Sequence, residues 1–142
     1  MEELITIKQL LHLGKVTEAL EMVEDLEEMS KSDKVNKIYS YGILLLLHLI
    51  KQSAEKRTTR SWEVSIHNAV KQIQRTNRRY KAKGTYLSEE ELAETLQEAY
   101  ELALERAALE AFEGRYEAEE LGKMVEQTQI LDTAIGLILS KA

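Results

Sequence analysis

The ten residues from Tyr41 to Ile50, YGILLLLHLI, are apolar except for Gly42 and His48. A segment with no face fit for water has to be surrounded. At ten residues it falls well short of the roughly 20 that cross a bilayer, so it predicts a buried helix around which the rest of the chain packs. The helical pattern around it runs from Asp33 to Glu55, and at ~1.5 Å per residue such a rod is about 34 Å long, the width of a small domain. The absence of proline from all 142 residues suits uninterrupted helices better than a sheet rich in turns.

The remaining segments read as helices of ordinary kind. Leu4, Ile7, Leu10 and Leu11 mark a short first helix ended by Gly14. Thr17 is the N-cap candidate of a second, with Ala19, Leu20, Val23 and Leu26 on one side and Glu18, Glu21, Glu24, Asp25 and Glu28 on the other. Ser30-Lys31-Ser32-Asp33 reads as a break and a new start before the central helix. Ser61 reads as the cap of a fourth helix reaching about Ala82, with Trp62, Ile66, Ala69, Val70, Ile73 and Tyr80 on its inner face and Gly84 as its stop. Ser88-Glu89-Glu90-Glu91 is a capping box that opens a fifth helix to about Glu113, whose alanines allow close approach to the central one. A weaker sixth helix spans Arg115 to about Glu126, and the apolar segment after it needs cover. The expected fold is all-α: an antiparallel four-helix-type bundle around the central apolar helix, with short helices at both ends. The expected division is a bundle domain over 1–127 and an apolar helical tail over 128–142, packed on the bundle or on a second subunit.

Charge is segregated along the chain. Ten basic residues against two acids between Lys51 and Lys83 give +8, which leaves −14 elsewhere for a total of −6. The overall sign disfavours indiscriminate nucleic-acid binding, while the local excess suits an anionic partner or packing beside acidic helices. The sequence contains no cysteine, which excludes disulfides, thiolate metal sites and cysteine nucleophiles. The acidic start MEELITIKQLL lacks the form of a secretory signal, and the reading is a cytoplasmic protein without membrane attachment.

Four pieces of sequence occur in a recognisable order: Glu27-Glu28, Lys31-Ser32-Asp33-Lys34, His48-Leu49-Ile50-Lys51, and Arg60-Ser61-Trp62 with Ile66 four residues beyond Trp62. Together they resemble a bacterial, largely cyanobacterial family, domain of unknown function twenty-nine. The resemblance covers the second to fifth helices and implies a small all-helical domain without an established activity or substrate. Glu27, Glu28, His48, Lys51, Ser61 and Trp62 are the residues that carry it. The chain departs from the family pattern in lacking a tryptophan in the second helix and prolines near the C-terminus.

No catalytic constellation emerges. His48 amid leucines has the chemistry of a metal ligand or a general base, yet His48, Lys51, Gln52 and Glu55 also follow the spacing of a polar stripe on an emerging helix. Glu-x-x-His pairs, which announce helical di-metal sites, are absent, and no cofactor is implied. Arg57, Arg60 and Ser61 at the start of the fourth helix form a candidate anion or partner site, continued along that helix by Lys71, Arg75, Arg78 and Arg79. The expected role is a non-enzymatic protein-interaction or regulatory module with an unidentified protein partner or a second copy bound through the tail. The alternatives are a nucleic-acid-associated protein using Lys71, Arg75, Arg78, Arg79, Lys81 and Lys83, and a metal-dependent hydrolase centred on His48.

Overall fold

The computed structural model describes residues 2–79 and 83–140; Tyr80, Lys81 and Ala82 lie outside the described residues. Among those described there are six α-helices and no strand: α1 (Glu2–His12), α2 (Val16–Glu55), α3 (Arg60–Asn77), α4 (Glu89–Glu110), α5 (Ala118–Gly122) and α6 (Gln127–Leu139). The protein is all-α. No described helix is long and apolar enough to cross a membrane.

One helix stands where two were expected. The segment Ser30–Asp33 is interior to α2, which runs through it without interruption. Serine in mid-helix costs only a few tenths of a kcal/mol relative to the best formers, and neither proline nor glycine stands nearby to stop the helix. A sequence able to cap is not thereby obliged to break.

The chain divides into two compact units, Met1–Lys34 and Val35–Ala142. The first is a helical hairpin. Gly14, with φ +76°, takes the left-handed backbone that ends α1, and Lys15 N–H bonds back to the Leu10 carbonyl at 2.8 Å. Of its described apolar residues only Ile7 and Ala19 are buried.

The second unit holds the main core. Ile38, Leu45, Leu46 and Ile50 of α2 are fully buried in one apolar cluster with Ile73 of α3, Leu92, Leu96, Ala99 and Ala103 of α4, Leu121 of α5, and Ile130, Ala134 and Ile138 of α6. The fourth main helix of this bundle is thus the C-terminal α6. The close approach of α2 and α4 expected from the alanines is present at Gly42, where a Cβ would lie 2.8 Å from Leu96 Cδ2 and 3.9 Å from Ala99 Cβ. A side chain here would have to displace a leucine that has no free space around it.

Thr17 lies inside α2, which begins at Val16, and three further helix ends differ from expectation, each for a local reason. The cap of α3 is Thr59, whose Oγ1 accepts from Trp62 N–H at 3.1 Å, so Ser61 is an exposed residue of the first turn. The end of α3 is Asn77, because Arg78 turns to extended backbone and bridges Thr85 in antiparallel fashion. Asn77 itself is buried: its carboxamide donates to the Leu87 carbonyl and accepts from Leu87 N–H at 2.8 Å, clamping the two ends of the turn. The fifth expected helix, α4, stops at Glu110, since Phe112 and Glu113 adopt φ values of 50° and 58° ahead of Gly114 at 77°. The expected sixth helix shrinks to the single turn-and-a-half of α5. The capping box is as expected: Ser88 Oγ accepts from Glu91 N–H and Glu91 Oε1 accepts from Ser88 N–H, both at 3.1 Å.

Candidate functional site

The polar stripe of α2 ends inside the second unit. Lys51 is only 4% exposed, and its Nζ donates to Glu110 Oε1 at 2.8 Å. A buried ammonium needs such an anion, and α4 supplies it from its last turn. The same Nζ lies 4.5 Å from the centre of the Trp62 ring, and Arg57 Cζ lies 4.7 Å from it, so the indole of α3 receives two cations. Arg57 Nε in turn donates to Glu55 Oε1 at 2.9 Å, while Glu55 Oε2 accepts from Phe112 N–H at 3.2 Å. That last bond satisfies a donor at the left-handed turn that ends α4. The stripe closes with Gln52 Nε2 donating to Thr58 Oγ1 at 2.6 Å.

His48 sits one turn before Lys51 with its Nδ1 buried and without a hydrogen-bond partner among the described residues. Burial pushes the imidazole below its ordinary 6.5, the Lys51 ammonium adds to that, and Glu110 opposes it. A neutral ring with its proton on Nε2 leaves only a bare lone pair at Nδ1, which is cheaper to bury than an unmet N–H. The sign of the linkage follows. The unfolded chain takes up a proton below about 6.5 that the folded chain resists, so this contribution is full above that value and is lost as pH falls toward the lower folded value. Urea unfolding of the native chain should therefore weaken between pH 7 and 5 more than that of His48→Leu. Equal pH dependence of the two would refute the neutral, buried imidazole.

These contacts bring together three of the six family-like residues, His48, Lys51 and Trp62. Ser61 is exposed next to Trp62, and Glu27 and Glu28 are exposed residues of the first unit. Glu55 of the expected polar stripe belongs to the site, as does Thr59 at the start of α3, and the member that sequence reasoning missed is Glu110. Glu110 borders the alanine face of α4 at Ala107, Ala108 and Ala111, which is its one detectable signal. Among the described residues no group of three or more His, Asp or Glu side chains is placed to hold a metal ion. The arrangement ties α2, α3 and α4 together by charge.

The candidate anion residues separate. Arg57 is drawn to Glu55 and Trp62, and Arg79 lies over Tyr86 with its Cζ 5.5 Å from the ring centre. Lys71, Arg75 and Arg78 line one open groove of ≈ 980 Å³ between the end of α3, the turn at Gly84 and Thr85, and the end of α6. A second groove of ≈ 540 Å³ has Leu49, Ile66, Val70 and Leu137 among its walls and Glu63, His67 and Gln74 at its rim. The first unit has a different character. Leu4, Ile5, Leu11, Leu13, Val16, Leu20 and Met29 are each more than half exposed.

A family model described as "Domain of unknown function DUF29" matches residues 7–133. The chain belongs to the DUF29 family. The match begins in α1 and ends in α6, so DUF29 takes in more of the chain than the stretch from Glu27 to Ile66 on which the motifs lie. No curated protein and no solved structure matches the chain.

Proposed function

We propose that this DUF29 protein is a non-enzymatic protein-interaction module that binds its partner through the N-terminal hairpin. The observation that carries this reading is the set of seven large apolar residues, each more than half exposed, within the 34 residues of the first unit. Single exposed leucines are ordinary, whereas a concentration of them on one small element is the mark of a surface that meets protein. The ion-pair site supports the same reading, because the charges of Lys51, Glu110, Arg57 and Glu55 are spent on one another.

The second reading, a nucleic-acid-associated protein, draws on the groove that Lys71, Arg75 and Arg78 share. One experiment separates the two. The tagged full chain is purified from its own cell with and without nuclease, beside a Leu4→Glu, Leu20→Glu variant and an Arg75→Glu, Arg78→Glu variant. Protein captured in spite of nuclease, lost from the leucine variant and kept by the arginine variant, is the expected result. Partners lost on digestion and in the arginine variant would replace the first reading with the second.

A further inference from the structure

We propose that the occupant of the N-terminal face is a second copy of this chain: α1 of each copy lies on the Val16–Met29 stretch of the other, and two hairpins close one four-helix core. The inference rests on the reading of that face as a protein-binding surface and names what binds there. Two helices share a single seam, and with Ile7 and Ala19 the buried apolar residues among those described in this unit, the other apolar residues stay wet until another layer covers them. A second hairpin of identical shape supplies two more helices, which is the smallest closed arrangement of this kind.

Charge says which helix meets which. On α1, Leu4, Lys8 and Leu11 follow i, i+4, i+7 spacing and share a face, with both leucines more than half exposed. On α2, Leu20, Glu24 and Glu27 follow the same spacing, and Leu20 is likewise more than half exposed. One stripe is therefore apolar and basic, the other apolar and acidic. In a two-fold contact each pairing occurs twice. Placing α1 on the second copy's α2 sets Lys8 against Glu24 and Glu27, whereas α2 on α2 would bring the glutamates together. Self-pairing also gives Glu27, part of the acidic motif that no contact of the ion-pair site uses, a place in an interface.

Sedimentation velocity on the full chain tests this. The expected result is the mass of two chains, dissociating to one on dilution. Leu4→Glu with Leu20→Glu should give a monomer of unchanged helix content. Lys8→Glu should weaken the dimer severalfold, and adding Glu24→Lys and Glu27→Lys to it should restore the original association. Lys8 is an exposed position on α1, so the charge series stays informative should Leu20→Glu unfold the hairpin. A chain that is monomeric at every concentration, a dimer indifferent to the leucine variant, or a charge swap that restores nothing overturns the proposal. A monomer that still captures another protein through Leu4 and Leu20 would overturn self-pairing alone and leave the interaction reading standing. A monomer whose captured proteins are unaffected by the leucine variant would remove both.

Discussion

A chain ended at Glu126, and so lacking α6, is expected to lose its cooperative unfolding transition and to behave as an expanded, dye-binding state. Ile130, Ala134 and Ile138 are buried in the same cluster as Leu45, Leu46, Ile73 and Leu96. Burial of the two isoleucines alone is worth roughly 3–6 kcal/mol. A domain of this size has only about 5–15 kcal/mol of net stability, and the loss would also open the α3 and α4 surfaces that α6 covers. Two polar contacts go with it, since Gln74 Nε2 donates to the carbonyls of Ile138 at 2.9 Å and Ser140 at 3.0 Å. Urea unfolding followed by far-UV circular dichroism decides the matter. A shortened chain with a sharp transition close to that of the full one would mean that α6 is an accessory to the bundle.

Glu110→Ala is expected to destabilise the protein by about 1–3 kcal/mol, while Lys51→Met leaves it unchanged or more stable. The asymmetry comes from exposure. Lys51 is buried and Glu110 is half exposed. Removing the glutamate strands an ammonium among Trp62, the His48 ring and the apolar wall of α2, and the Trp62 ring alone is a weak substitute for a carboxylate. Removing the lysine returns Glu110 to water and fills the site with a side chain of similar length. The double variant should then resemble Lys51→Met. If Lys51→Met were instead the more damaging change, the ammonium would have a role beyond pairing with Glu110.

What the sequence made legible was local and periodic. The capping box at Ser88 and Glu91 is two short bonds between residues three apart, and it located the start of α4 correctly. The core positions of the central helix followed from the apolar run alone. Where hydroxyl residues crowd together the signal was degenerate: Thr58, Thr59 and Ser61 can all cap, and the one that does so is Thr59. Ser30 and Ser32 advertise a helix start that the surrounding helix formers override. The left-handed backbone at Phe112 and Glu113 has no sequence signal, because neither residue type favours that conformation. The pairing of Lys51 with Glu110 joins residues 59 positions apart, and nothing in the 3.6-residue period of either helix points to the other. His48 was legible as an oddity and its surroundings were not: a periodic pattern tells that a histidine is near leucines, never which charges face it.

The Asn77 clamp bears on how such a domain can grow. Its side chain bonds both the N–H and the C=O of Leu87, so the exit of α3 and the approach to α4 are held together by one carboxamide. The chain length between those two points does not enter into the bonds. Lengthening a closed loop costs only about 0.6 kcal/mol per doubling. Lengthening the connection between α3 and α4 is therefore expected to leave the helical core of the second unit in place, because the bonds from Asn77 to Leu87 hold the two helix ends whatever the connection's length.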